Sequence, residues 1–182
     1  ISLLASQSKA IKPMRRIELA SIIELLHTAT LVHDDVVDDS NLRRGAKSVN
    51  QVWSNSYSVL IGDFIYSKAF MLMVKLNQPL ILKELADATN DIARGEIIQL
   101  SLYKNSLSLE LKDLLKVSYL KTGRLFEAAA KSGAMLAHAS DIDVKNFGLL
   151  GKALGIAFQI QDDILDYESL HIDTGKKALQ DF

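Results

Sequence analysis

Asp34, Asp35 and Asp38 stand in the string Leu31-Val-His-Asp-Asp-Val-Val-Asp-Asp39, and two arginines, Arg43 and Arg44, follow closely. On a helix, residues four apart share a face, so Asp34 and Asp38 point the same way and Asp35 lies about 100° round the axis. Carboxylates this dense repel one another, and a helix C-terminus disfavours anions. A cation offsets both costs. Hard oxygen donors without soft ligands suit Mg²⁺, which is usually held by one or two carboxylates together with substrate phosphate. The D-D-x-x-D spacing recurs at Asp162, Asp163 and Asp166, and seven of the 22 acidic residues fall in these two windows. One such motif is equally well read as a solvated helix end. Two, each closing an apolar helical stretch, point to metal–phosphate chemistry.

The elements that must carry these residues read as helices. Before the first cluster, Ile17, Leu19, Ile22, Ile23, Leu25, Leu26 and Ala29 fall at helical spacing over 14–38, behind Pro13, a residue suited to a first turn. Residues 1–10 read as a short apolar helical piece. Residues 39–46 read as a loop closed by Gly45, and Ser48 as the cap of a short turn reaching Trp53. A helix opens at Asn55 or Ser56 and runs to about Leu76. Asn77-Gln78-Pro79 is a turn before a helix reaching Tyr103. Residues 104–108 connect to a helix over 109–138. The last long helix spans 141–167, with Gly148, Gly151, Gly155 and Ala157 allowing close packing, and 171–176 is a polar loop. No segment alternates with period two, so no sheet is expected.

Composition sets the bounds. At 182 residues, 48% hydrophobic with two prolines and nine glycines, the chain suits a single all-α domain and not a disordered segment. A net charge of −1 gives no sign of a nucleic-acid partner, and the lack of cysteine excludes disulfides and thiolate metal sites. No apolar run approaches the ~18 residues of a membrane span. The start at Ile1 without a methionine and the stop after a loop suggest a fold truncated at both ends.

These strings, in order with Arg43-Arg-Gly45, Gly62-Asp-Phe-Ile65, Gly95-Glu-Ile-Ile-Gln-Leu100, Lys121-Thr122, Phe126-Glu-Ala-Ala-Ala130, Phe158-Gln-Ile-Gln161 and Gly175-Lys176, are what the resemblance rests on. The chain resembles the trans-polyprenyl diphosphate synthases, and among them the bacterial long-chain, octaprenyl-type members. A lone D-D-x-x-D is shared with class I terpene cyclases, but those replace the second aspartate motif with an Asn/Ser/Glu pattern. The resemblance implies an isoprenoid-synthase-type helical bundle around a central substrate cavity. It also implies a Gly-Gly-Lys-Arg segment, expected before Ile1, and a C-terminal third of the fold, expected after Phe182.

The implied chemistry is ionisation of an allylic diphosphate, whose cation is attacked by the double bond of isopentenyl diphosphate. Two or three Mg²⁺ ions would neutralise the leaving diphosphate. By resemblance, Asp34, Asp35, Asp38, Asp162, Asp163 and Asp166 hold metal. Arg43 binds the allylic diphosphate and Arg44 that of isopentenyl diphosphate, which His27, two helical turns before Asp34, also touches. Lys121, Thr122 and Gln159 line the allylic site, where the Thr122 and Gln159 oxygens can stabilise the cation, and Lys176 reaches the allylic diphosphate. Ala29 and Thr30, then Leu26, wall the tunnel for the growing chain, with Phe70 and Met73 at its floor. Ala29 and Thr30 are small where short-chain members place aromatic side chains, so the resemblance implies a long, octaprenyl product for quinone side chains, with a shorter geranylgeranyl or hexaprenyl product as the alternative. A cytoplasmic homodimer whose lipid product brings it near the membrane is likewise implied.

The remaining residues read plainly. His33 is structural, and Asp39, Lys131 and Lys152 lie on the surface. His138 and His171 carry no assignment. Trp53 and the Phe64, Tyr66, Phe70 stripe read as core. Two other classes compete. A di-iron carboxylate bundle would use Glu24-x-x-His27 and Glu168-x-x-His171 but leaves the aspartates unexplained. A non-catalytic synthase subunit typically loses aspartates, and both motifs are intact here.

Overall fold

The structure, a computed structural model, describes residues 1–7, 11–104 and 110–169, the side chains of 103, 104 and 166–169 apart. It is helical, in two compact units: Ile17–Gln78, and Ile1–Arg16 with Pro79–Phe182.

The Ile17–Gln78 unit is led by α2 (Pro13–Val37), which begins on the expected proline. Its buried face is Leu19, Ile22, Leu26, Ala29, Val32 and Asp35, a three-four spacing that puts a carboxylate at the end of an apolar row. The helix stops because Asp39 takes the left-handed region (φ 49°) and the Ser40 N–H reaches back to the Asp35 carbonyl at 2.9 Å, the closure of a Schellman motif. Beyond it stands a hairpin in place of the plain loop expected. Leu42–Arg43 (β1) and Ala46–Lys47 (β2) pair antiparallel, Leu42 with Lys47 and Arg43 with Ala46. Arg44 (φ 51°) and Gly45 (φ 80°) form the tip, both left-handed as a two-residue hairpin requires. Two residues per strand are too few to show a period of two.

Ser48 precedes α3 (Val49–Val52), but its hydroxyl donates to the Ser40 carbonyl at 2.6 Å and caps nothing. α4 (Asn55–Leu76) starts where expected, capped by Ser54, whose hydroxyl accepts from the Tyr57 N–H, and ends on left-handed Asn77. Its buried positions are Ser58, Gly62, Ala69, Met73 and Leu76, while Trp53 and Phe64 are 65% and 61% exposed. The aromatic stripe is thus not core among the described residues. Apolar residues are spread round α4, and its packed side uses Ser58, Gly62 and Ala69 with Met73 and Leu76 and not the aromatic rings.

In the other unit, α1 (Ser2–Ala5) is shorter than expected, and 8–10 lie outside the described residues. α5 (Pro79–Lys104) buries Ile81, Leu85, Ala88 and Ile92. The expected single helix over 109–138 is α6 (Leu111–Ser118), a π turn (Tyr119–Gly123) and α7 (Arg124–Leu136). His138 is left-handed (φ 56°), and the Ala139 N–H returns to the Ala134 carbonyl at 3.0 Å, so this unassigned histidine terminates α7. α8 (Asp141–Ser169) lays its glycines against α7: a Cβ on Gly151 would lie 2.5 Å from the Phe126 carbonyl oxygen, and one on Gly155 2.6 Å from Gly123 Cα. Lys131, read as a surface residue, is mostly buried and pairs with Glu84 at 3.0 Å. No described helix is long and apolar enough to cross a membrane.

Candidate functional site

The first aspartate cluster is built by the end of α2 and the hairpin. Asp35 is 3% exposed, and its Oδ1 accepts from Arg43 Nε at 3.0 Å and Nη2 at 2.6 Å. The Asp35 carbonyl is fixed as well, by the Ser40 N–H and by Asn50 Nδ2 at 3.2 Å. Asp34 and Asp38 are partly exposed, one turn apart, and Arg44 is exposed at the hairpin tip. The sequence assigns Asp35 to metal and Arg43 to a diphosphate; here the two are bonded to each other. The resulting guanidinium–carboxylate pair offsets the burial of a charge on the apolar face of α2.

His27 is half-buried two turns below Asp34. Burial holds its pKa below the ordinary histidine value; Glu24 opposes this, and Arg44 and Arg43 add to it. It is therefore a neutral imidazole at pH 7, and Glu24, its di-iron partner in the competing reading, is exposed. His33 Nε2 lies 3.1 Å from the Val59 carbonyl oxygen and 3.4 Å from Asp63 Oδ1, directly over Gly62, where a Cβ would overlap the imidazole ring. The Gly62-Asp63 string is the seat of this histidine, a role the spacing alone does not reveal. Leu26 and Ala29 are fully buried on α2, as is Met73 on α4. The Thr30 hydroxyl donates to the His27 carbonyl at 2.8 Å, and Phe70 lies at the surface against Tyr66, ring centroids 5.3 Å apart.

The second cluster gathers at the π turn. Lys121 and Thr122 both lie in it, and π turns interrupt α-helices frequently at functional sites. The Thr122 hydroxyl donates to Gln159 Oε1, and Gln159 Nε2 donates to Asp163 Oδ1 at 2.8 Å. Hydroxyl, amide and carboxylate thus form one chain from the turn to the aspartate motif on α8. Lys121 Nζ donates to Gln99 Oε1 at 3.2 Å and lies 3.4 Å from Glu96 Oε1. Behind them Arg124, 6% exposed, donates to Glu84 Oε1 at 2.7 Å and Asp91 Oδ2 at 3.0 Å. Gln99, Glu96, Glu84, Asp91 and Arg124 carried no sequence assignment. The signal for Glu84 and Asp91 was their seven-residue spacing, two turns on one face of α5. Asp162 is exposed, and the Asp166 side chain, His171 and Lys176 lie outside the described residues.

Among the described residues, no three carboxylate or imidazole groups converge on one point. The donors at both clusters are nonetheless hard carboxylate oxygens, and they fit an ion that completes its shell with substrate phosphate and water.

The profile of the polyprenyl synthetase family matches residues 2–182. The octaprenyl diphosphate synthase of Escherichia coli (strain K12) is 40% identical over 181 residues, covering 100% of this chain and 56% of that protein. An all-trans-nonaprenyl-diphosphate synthase (geranyl-diphosphate specific) of Rhodobacter capsulatus is 45% identical over 165 residues, 90% of this chain and 50% of that one. A crystal structure of polyprenyl synthase from Caulobacter crescentus CB15, complexed with calcium and isoprenyl diphosphate, superposes with a TM-score of 0.88 at 39% identity, covering 100% of this chain and 54% of that chain. The chain spans about half the length of the curated relatives it matches.

Proposed function

The chain belongs to the polyprenyl synthetase family, and on that premise we propose that its protein condenses isopentenyl diphosphate repeatedly with an allylic diphosphate such as farnesyl diphosphate. The product is a long all-trans-polyprenyl diphosphate, octaprenyl in length, for a quinone side chain. The observation that carries the reading is the Thr122–Gln159–Asp163 chain beside Lys121, on the π turn and α8. It joins a cation, two uncharged oxygen dipoles and a carboxylate within one unit, which is what holding a diphosphate next to a developing allylic cation requires.

Lys121 supplies positive charge for the diphosphate, and the Thr122 and Gln159 oxygens face the developing cation. Arg43 binds the allylic diphosphate; Arg44, free of the Asp35 bond, and neutral His27 serve isopentenyl diphosphate; Lys176 completes the allylic side. Asp34, Asp35, Asp38, Asp162, Asp163 and Asp166 would hold two or three Mg²⁺ ions. Magnesium, when bound, supplies Lewis-acid neutralisation of the leaving diphosphate. The Caulobacter structure, with calcium and isoprenyl diphosphate, supports a hard dication beside this class of substrate. We read residues 1–182 as one domain of a cytoplasmic homodimer.

The test is turnover of the complete protein with farnesyl and isopentenyl diphosphates. Asp34→Ala and Asp162→Ala should each lower turnover by orders of magnitude while the fold survives, because a lost metal ligand removes transition-state stabilisation. Near-normal turnover of Asp34→Ala at limiting Mg²⁺ would sink the assignment.

A further inference from the structure

We propose that Tyr119 and Glu127 are positioning residues, whose hydrogen bond spans the π turn and fixes the register in which it presents Lys121 and Thr122. The Tyr119 hydroxyl donates to Glu127 Oε2 at 2.7 Å. In an unbroken α-helix, residues eight apart sit about 80° from one another round the axis. A π turn accommodates one extra residue, so the pair is set as if seven apart and comes within about 20° of alignment. The bond therefore suits the helix only with the insertion in place.

The surroundings of the turn point the same way. Gly123, midway between the two residues, leaves their face open: a Cβ there would lie 3.2 Å from Tyr119 Cδ2. On one side α8 closes over it, with Gly155 against Gly123 and Lys152 Nζ 4.3 Å from the Tyr119 ring centroid. On the other, α5 comes so near that a Cβ on Gly95 would lie 2.8 Å from Leu120 Cβ and 3.0 Å from the Lys121 nitrogen. Arg124, the first residue past the turn, is tied to Glu84 and Asp91. Burial first, then the bond to Glu127, pushes the Tyr119 hydroxyl up to about 12, so the donor is intact across neutral pH. Without the hydroxyl, the inserted residue is free to migrate along the helix. Each step of migration turns a residue it passes by about 100°, taking Lys121 or Thr122 off its partner.

This inference rests on the reading of Lys121 and Thr122 as allylic-site residues, which Lys121→Ala tests separately. The experiment is steady-state kinetics of the complete, Mg²⁺-loaded protein, varying farnesyl and isopentenyl diphosphates in turn, with amide hydrogen exchange over 118–124. Tyr119→Phe and Glu127→Leu should each raise KM for farnesyl diphosphate about tenfold, leaving that for isopentenyl diphosphate within about twofold. Exchange over 118–124 should rise in both. Glu127→Gln keeps an acceptor for the hydroxyl and should behave as the parent. The double variant Tyr119→Phe/Glu127→Leu should be no worse than either single one. An unchanged farnesyl KM in Tyr119→Phe, where Lys121→Ala raises it, overturns the positioning role alone. Equal losses on both substrates, or a Glu127→Gln as impaired as Glu127→Leu, also overturn it. A silent Lys121→Ala removes the allylic reading, and this proposal with it.

Discussion

Arg43 donates from Nε and Nη2 to a single oxygen of Asp35, at 3.0 and 2.6 Å, and so neutralises the one carboxylate that α2 carries on its buried face. A partner's removal leaves that charge buried and uncompensated. Arg43→Ala should therefore lower stability by ~2–4 kcal/mol, part of the usual cost because the guanidinium is partly exposed. Arg44→Ala, at the exposed hairpin tip, should stay within ~0.5 kcal/mol of the parent. Denaturant unfolding of the two variants decides it: equal stabilities would mean that the Asp35–Arg43 pair is only a surface contact.

The glycines of α8 make a sharper contrast, because their neighbours differ in what they can yield. A Cβ on Gly155 meets the Gly123 backbone, so the helices must part, and Gly155→Ala should cost ~1–3 kcal/mol or more. A Cβ on Gly148 comes nearest to the Lys131 stem, at 2.9 Å from Cγ, a flexible methylene chain that can shift while its ammonium stays with Glu84. Gly148→Ala should then fall within ~1 kcal/mol of the parent, helped by the better helix propensity of alanine. Thermal melts that rank the two the other way would contradict the packing of α7 on α8.

Much of this was legible in the sequence. Helix ends marked by Pro13, Asn77-Gln78-Pro79 and Asp141 come from local chemistry, and α2, α4 and α5 begin and end close to where that chemistry puts them. The π turn was not legible: Tyr119-Leu-Lys-Thr-Gly123 has ordinary helical periodicity, and the insertion shows only in tertiary packing, where Gly95 and Gly155 bring α5 and α8 close to it and the Tyr119 hydroxyl meets Glu127. Nor was the hairpin, because Arg44-Gly45 is a weak turn signal beside Asn-Gly and its strands hold two residues each. At the site, motif residues could be picked out by type, but the pairing of Arg43 with Asp35 is a tertiary choice between two plausible partners. Glu84, Asp91 and Arg124 were not legible either, because in sequence each alone looks like a solvated charge.

His27 gives a pH prediction with a definite sign. Burial, the largest influence, holds its pKa in the folded protein below 6.5, the value of the unfolded chain. Between those two values the unfolded state binds more protons, so stability is full above pH 6.5 and is lost as pH falls through the folded value. The parent protein should thus lose more thermal stability than His27→Gln on going from about pH 7.5 to about pH 5. Parallel losses in the two proteins would show that His27 titrates as if in water.

Ala29 tests whether a growing product runs along α2. It is fully buried, one turn past fully buried Leu26, and α4 contributes buried Met73. Forcing a phenyl ring into a core packed to normal density costs ~1–3 kcal/mol. A tunnel for an isoprenoid chain along this face would instead receive the ring, at little cost in stability, and be blocked by it. Ala29→Phe should accordingly keep its melting temperature and its rate of first condensation, since Asp34 lies more than a turn further on. With a farnesyl primer its products should shorten from the proposed octaprenyl length to geranylgeranyl size, a single condensation beyond the primer. Met73→Ala should act in the opposite sense and lengthen them, and more cleanly than Phe70→Ala, because Phe70 lies at the surface. Chromatography of the products made from farnesyl and radiolabelled isopentenyl diphosphates with Mg²⁺ reads both. A destabilised Ala29→Phe still making the parental product would mean that this face is ordinary core, and the assignment of Ala29, Thr30 and Leu26 to the tunnel wall would fall.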